Sequence, residues 1–202
     1  MTEPGKLIRR SCIVNVLGIS GTPRKGGNSE ILLNAALEPF VEANWDITKI
    51  LLSEKRIESC TGCDACVEKK SAVKACCIND DMNEIYNAYE KCNAIIISAP
   101  TYWRNVPAQL KAVIDRTYGS KSGSLKGKLG GAIAVGRGQG GGQAIVINII
   151  YNFYLSAGAL CVPSETNGVT TVADKPGDIL SQPRRLEQAK TLGQNIITYF
   201  RK

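Results

Sequence analysis

"CIVNVLGISGTPRKGGNSEILLNAALEPFVE", residues 12–42, decides how this chain folds. The apolar, partly β-branched run Cys12–Ile19 reads as a strand, and residues 28–43 carry the spacing of a helix. Between them lies the polar, glycine-rich turn Ser20–Ser29. Gly21-x4-Gly26 opens like a phosphate-cradling loop, but Gly27 and Asn28 stand where such a loop needs Lys and then Ser or Thr. That excludes the usual nucleoside triphosphate and magnesium site. Ser20, Thr22, Asn28 and Ser29 still supply hydrogen-bonding side chains, and the helix start supplies free N–H groups and the positive end of its dipole. One terminal phosphate suits this set, with Arg24 either adding charge or facing solvent. The plainer account is a strand-to-helix turn capped by Asn28 or Ser29.

Working outward, the same alternation repeats. Strands are expected at Cys12–Ile19, Asp46–Leu51, Ala94–Ser98, Gly131–Val135 and Ala159–Val162, with helices at 28–43, 80–91, 106–118, 142–157 and 183–200. Right-handed βαβ units then give a parallel sheet covered on both faces. The expectation is one α/β domain over residues 1–202, a doubly wound five-stranded sheet in the flavodoxin-like order 2-1-3-4-5. A tail at 1–11 and a cysteine-rich loop insertion at 58–79 complete it. The segment Thr166–Pro183, with two prolines and several turn formers, reads as a surface excursion. Ligands of such sheets collect beyond the carboxyl ends of the strands. Three unusual loops fall there: Ser20–Ser29, Pro100–Asn105 and Gly136–Gly142.

In the second loop Pro100 ends a strand, and Thr101, Tyr102, Trp103 and Asn105 follow at its carboxyl edge. A planar ring could lie against aromatic and backbone faces there, although aromatics at a helix entry also serve packing alone. The third loop, "GRGQGGGQ", contains Gly136-x-Gly138-x-x-Gly141. It imitates a dinucleotide fingerprint without the acidic residue expected about 20 positions on. Its glycines are better read as room for a ring system to approach the backbone.

Composition narrows the chemistry. Histidine is absent, which removes the commonest general base and metal ligand and every Ser-His or Cys-His nucleophile. Chemistry must come from a cofactor, from cysteine, or from carboxylates and lysines. Hydrophobic residues make up 44%, and no apolar run is long enough for a membrane span. The basic tail Met1–Ser11 leads into a strand-like segment broken by Asn15 and without a small-residue cleavage site, so a cytoplasmic protein is expected. The net charge is +7, with Lys121, Lys126 and Lys128 grouped in "GSKSGSLKGKLGG". No nucleic-acid module accompanies them, and a solvated loop is preferred to a docking surface for an acidic partner.

Five of the eight cysteines lie between Cys60 and Cys77. Without an export signal such crowding indicates a metal or redox site. Cys60-x2-Cys63-x2-Cys66 is the compact spacing of iron–sulfur ligands, whereas structural zinc usually takes two separated knuckles. A [4Fe–4S] cluster, zinc and metal-free thiols remain the three readings. Cys12, Cys92 and Cys161 read as small buried side chains.

Together, "GISGTPRKGGNSE", "CTGCDACVEKK", "NDDM", "IIISAPTYWRNVPAQLKAVIDR" and "GRGQGGGQ" resemble the iron-sulfur flavoproteins of anaerobic archaea and bacteria, within the wider NADPH-dependent FMN reductase group. The resemblance implies FMN on the three loops and a [4Fe–4S] cluster on Cys60, Cys63, Cys66 and one further cysteine. The family's fourth cysteine follows the third more closely than Cys76 follows Cys66, so "VEKKSAVKA" looks like an insertion. Counting back from Asp80-Asp81-Met82 selects Cys76. On an extended backbone Cys77 points the other way. The resemblance further implies a ferredoxin-like donor, an acceptor such as dioxygen, peroxide or a quinone-like molecule, and a homodimer or homotetramer. It implies neither a nucleic-acid nor a membrane partner. The alternatives are a cluster-free NAD(P)H-dependent FMN or quinone reductase and a zinc-stapled adaptor without turnover.

Overall fold

A computed structural model describes residues 14–68, 76–120 and 124–202. Its strands are β1 (Asn15–Ser20), β2 (Asp46–Leu51), β3 (Ala94–Pro100), β4 (Leu129–Gly136), β5 (Leu160–Cys161) and β6 (Val169–Val172). The helices are α1 (Asn28–Glu42), α2 (Ala65–Glu68), α3 (Met82–Lys91), α4 (Ala108–Arg116), α5 (Gln143–Ser156) and α6 (Pro183–Phe200). The sheet runs β2-β1-β3-β4-β5, and every pairing is parallel. This is the flavodoxin-like order the alternation predicts.

Alternation along the strands sorts the core onto two faces. Ile95, Ile97 and Ala99 of β3 join Leu17, Ile19, Leu110 and Val113 under α3, α4 and α5. Ala94 and Ile96 point the other way, into a second core with Leu33, Phe40, Leu192 and Ile196 under α1 and α6. Strands buried on both faces explain why "AIIISAP" reads as one unbroken apolar run.

Three expectations are corrected. The fifth sheet position is split: β5 pairs only with Leu129 and Gly130, while β6 pairs with β4 from Ile133 to Gly136. The stretch read as a surface excursion therefore contributes a strand, which follows from the alternating burial of Val-Thr-Thr-Val. Asn167-Gly168 before it and Pro176 after it mask that signal. The cysteine loop carries the short helix α2, which the sequence pattern does not announce. Lys128 is half-buried rather than free in solvent. Its ammonium takes the carbonyls of Tyr89 and Glu90 at the end of α3, where the helix dipole favours a cation. Cys12 and Lys121 lie outside the described residues. Cys92 is buried, and burial pushes its thiol up to about 11. Cys161 is half-buried and shifted upward for the same reason.

Candidate functional site

Three loops leave the carboxyl edge of the sheet and are tied to it by backbone bonds. Gly21 N–H donates to Ser98 O at 2.8 Å, and Thr101 N–H donates to Val135 O at 2.8 Å. In the first loop Gly27, not Asn28 or Ser29, stands at the N-cap of α1, and no side chain caps the helix. Glu30 N–H donates to Gly27 O at 2.9 Å, which leaves the N–H groups of Asn28 and Ser29 at the helix start suited to an anion. Ser20, Thr22, Asn28 and Ser29 are all buried. Thr22 Oγ1 accepts from Arg24 N–H at 3.2 Å, and the Arg24 side chain is exposed. Asn28 is committed elsewhere: its amide donates to Lys175 O at 2.8 Å and accepts from Ile179 N–H at 3.3 Å. It fastens the segment after β6 over the helix start. Ser29 presents its carbonyl to the Ser98 hydroxyl at 2.7 Å.

Glu30, a neighbour that the motif reading overlooks, braces the same turn. It accepts from Gly26 N–H at 2.7 Å and from Lys49 Nζ at 2.7 Å. Burial pushes its carboxyl pKa up, but the Lys49 and Gly26 hydrogen bonds outweigh burial and hold it below the usual range.

In the second loop Tyr102 and Asn105 exchange backbone bonds of 2.8 and 2.9 Å around a tight turn. Trp103 and Arg104 at its tip have φ of 50° and 61°. Trp103 is fully exposed and Tyr102 is 44% exposed, so both rings stand at the edge and not in the core. Asn105 Oδ1 accepts from Val106 N–H at 2.8 Å. Pro100 is buried at the strand end. The third loop meets the second at Gly142, whose φ is 94°. A Cβ there would lie 2.9 Å from Arg104 Cα, so only glycine fits. Gln143, absent from the sequence-based site, steadies this loop by donating to Gly138 O at 3.0 Å and Thr171 O at 3.3 Å. Gly136 is buried, Gly141 is half-buried, and Gly138 is open on its side-chain face. Two buried hydroxyl oxygens at this edge, Ser20 Oγ and Thr101 Oγ1, have no hydrogen-bond partner. Such atoms call for a ligand or an ordered water.

A second site lies beside the far end of α4. Cys60, Cys63, Cys66, Cys76 and Cys77 all line one cavity of about 180 Å³, together with Arg116 and Tyr118. Cys63 Sγ and Cys77 Sγ are 3.2 Å apart. The backbone N–H of Ala65, then the Cys77 thiol and the Thr61 hydroxyl, pull the Cys63 pKa down. The bond to Cys63 shifts the Cys77 thiol upward. Cys76 packs against the core, whereas Cys77 is exposed. Both residues line the cavity. Among the described residues no three such groups already converge at metal-ligating distance.

Asp80 marks the cysteine register in the sequence, and Arg116 carries no local motif there. Their side chains are 0% and 1% exposed and form a bidentate pair at 2.5 and 2.9 Å. Burial pushes the Asp80 carboxyl up, but Arg116 and the N–H groups of Glu58 and Met82 leave its pKa below the ordinary value. Arg116 shares the buried face of α4 with Leu110 and Val113. A lone cation on an apolar helix face is the signal that would have found it.

The family profile described as NADPH-dependent FMN reductase matches residues 14–174. The chain belongs to that family. It is 36% identical over 188 residues to an iron-sulfur flavoprotein of Methanocaldococcus jannaschii, covering 91% of this chain and 95% of the relative. With an iron-sulfur flavoprotein of Methanosarcina thermophila it shares 37% identity over 161 residues, 78% of this chain and 82% of the other. Among solved structures it is similar in fold to an NAD(P)H:quinone oxidoreductase from Methanothermobacter marburgensis. The TM-score is 0.66 at 17% identity, covering 91% of this chain and 98% of that one. The chain is a flavin-dependent oxidoreductase, with FMN as the flavin of its family. No helix among the described residues is long and apolar enough to cross a membrane.

Proposed function

We propose that the chain is an FMN- and [4Fe–4S]-containing electron-transfer flavoprotein. It accepts electrons from a ferredoxin-type donor on the side of the thiol cavity and delivers them to a small acceptor at the loop edge. One observation carries this reading: five cysteines line a single cavity at the far end of α4, the helix that begins next to the donor-rich flavin-type edge. Five of the lining residues are cysteines, the ligand type of iron–sulfur clusters, against two carboxylates, Asp64 and Asp115. Cys60, Cys63, Cys66 and Cys76 would hold the cluster. When bound, the cluster supplies one-electron storage and the flavin joins one-electron to two-electron chemistry.

The chain's own residues bind and orient. The uncapped start of α1 and the Ser20 hydroxyl take the phosphate end of FMN, with Arg24 as an exposed countercharge. Thr101, Tyr102 and Trp103 on one side and the Gly136–Gly142 loop on the other leave room for the ring. The nine residues of α4 run between the two sites, about 13 Å at the usual helical rise. With no histidine, no imidazole titrates near neutrality, in keeping with electron transfer rather than side-chain acid-base work. The charge of +7 favours an acidic donor. The acceptor is of the dioxygen, peroxide or quinone type, and the working form is a homodimer or homotetramer in the cytoplasm.

Anaerobic purification followed by flavin, iron and sulfide analysis tests the proposal. FMN with iron and sulfide in equal amounts, near four of each per chain, is the expected result. FMN without iron, together with rapid NADPH oxidation, would favour the cluster-free reductase. Zinc without flavin would favour the adaptor.

A further inference from the structure

Arg116 is held more tightly than an ion pair requires. Asp80 accepts both of its terminal nitrogens and also the N–H groups of Glu58 at 2.8 Å and Met82 at 3.1 Å. The same guanidinium donates to Glu58 O at 3.0 Å, and its Nη2 points at Cys76 Sγ at 3.5 Å. The Arg116 backbone is pinned as well, since the Tyr86 hydroxyl donates to Arg116 O at 2.6 Å. Cys76 also packs against Gly119. A Cβ at that glycine would lie 3.4 Å from Cys76 Cβ and 2.9 Å from the Tyr86 hydroxyl oxygen. Asp80 alone would neutralise the arginine. The contact to sulfur is additional, and Cys77 receives no such partner from Arg116.

We propose that Arg116 is a positioning residue for Cys76. It fixes that sulfur in the cavity wall and gives it a charge-assisted donor, so that a cluster ligated there is easier to reduce. The physical reason is that reduction adds negative charge to the cluster and its ligand sulfurs. A cation hydrogen-bonded to one of those sulfurs stabilises the reduced form more than the oxidised one. Outer hydrogen bonds of this kind orient a ligand as well as tune the metal it holds. Asp80 has the opposite effect, because its carboxylate offsets the arginine. This inference rests on the proposed cluster.

The test is a redox titration of the anaerobically purified full chain, read by electron paramagnetic resonance, with iron and FMN counted in each sample. Asp80→Asn leaves the arginine charge unopposed and should raise the cluster potential. The double variant Asp80→Asn, Arg116→Gln leaves no unpaired buried charge and should lower it. A tenfold change in the reduced-to-oxidised ratio at fixed potential, 59 mV for a one-electron couple, is expected in each direction. Loss of iron from the double variant with FMN retained also supports the positioning role. Two opposite shifts are not produced by a merely structural ion pair. Should the double variant fail to fold, Arg116→Lys keeps the charge and loses the fork, and it should release iron to a chelator faster than the unaltered protein. Unshifted potentials with full iron content overturn the role of Arg116, as does an unchanged rate of iron release in Arg116→Lys. An unaltered protein without iron and sulfide overturns the proposed function along with it.

Discussion

Replacing Gly142 with alanine tests whether the meeting of the second and third loops is as tight as it looks. The residue has φ 94° and ψ 17°, in the left-handed region, where a Cβ costs about 1–2 kcal/mol. The added carbon would also sit 2.9 Å from Arg104 Cα and 3.0 Å from Arg104 Cβ. Arg104 cannot yield easily, because it has φ 61° inside the turn closed by Tyr102 and Asn105. Overpacking against such a backbone costs about 1–3 kcal/mol. The sum is about 2–5 kcal/mol, which at roughly 2–4 °C per kcal/mol for a chain of this size is readily measured. Gly138→Ala is the internal control, since nothing lies within 4 Å of its added carbon and its φ is not positive. Thermal and urea unfolding by circular dichroism, with FMN content measured in parallel, should separate the two. Gly142→Ala should lose stability and retain less FMN, and Gly138→Ala should stay within about 0.5 kcal/mol of the parent. Equal losses of stability in the two variants would refute the reasoning.

Other outcomes follow from single side chains. Ser20→Ala and Thr101→Val remove the two unpartnered buried hydroxyls, so each should weaken FMN retention while leaving apo-protein stability unchanged or slightly raised; a loss of stability without loss of FMN would show that they serve the fold. Glu30 has a depressed pKa, so its stabilising contribution is complete above the ordinary value of about 4.3 and is lost as pH falls through the lower folded value. Acid unfolding of Glu30→Gln should be less steep in that window than that of the unaltered chain, and parallel curves would remove Glu30 from the account. Cys76→Ser should cost iron and colour, whereas Cys77→Ser should keep both; the reverse result would make Cys77 the fourth ligand.

β1, β3 and β4 are legible in the sequence because each is a mostly apolar run that closes on glycine or proline. "AIIISAP" can be little else than a strand buried on both faces, and Pro39 alone does not interrupt the helix pattern of α1. The split fifth position is another matter. β5 has two residues and β6 has four, too few for periodicity to outweigh the flanking turn formers. The loops of the candidate site are legible as donor-rich turns at strand ends, but their internal accounts are not. That Asn28 serves Lys175 and Ile179, 147 and 151 residues away, is a consequence of where β6 lies. For the same reason the pairing of Arg116 with Asp80, 36 residues apart, is invisible to any local pattern.

What the fold adds to the sequence is a mechanical link between the two sites. α4 starts beside the turn that carries Tyr102 and Trp103 and ends at Arg116, and Leu110 and Val113 fix its rotation by burial in the core. Removing one exposed residue from its middle would turn everything beyond by about 100° and draw it back by about 1.5 Å. Arg116 would then leave the reach of both Asp80 and Cys76, while the Thr101–Asn105 turn kept its own backbone bonds. The two ends differ in how they are built. The flavin-type edge is assembled from loops each tied to a strand end, with the second and third also meeting at Gly142 and Arg104. The thiol cavity is lined by Arg116 and Gly119 at the end of α4 as well as by the cysteines, so its geometry depends on the length of α4 as much as on the cysteines themselves.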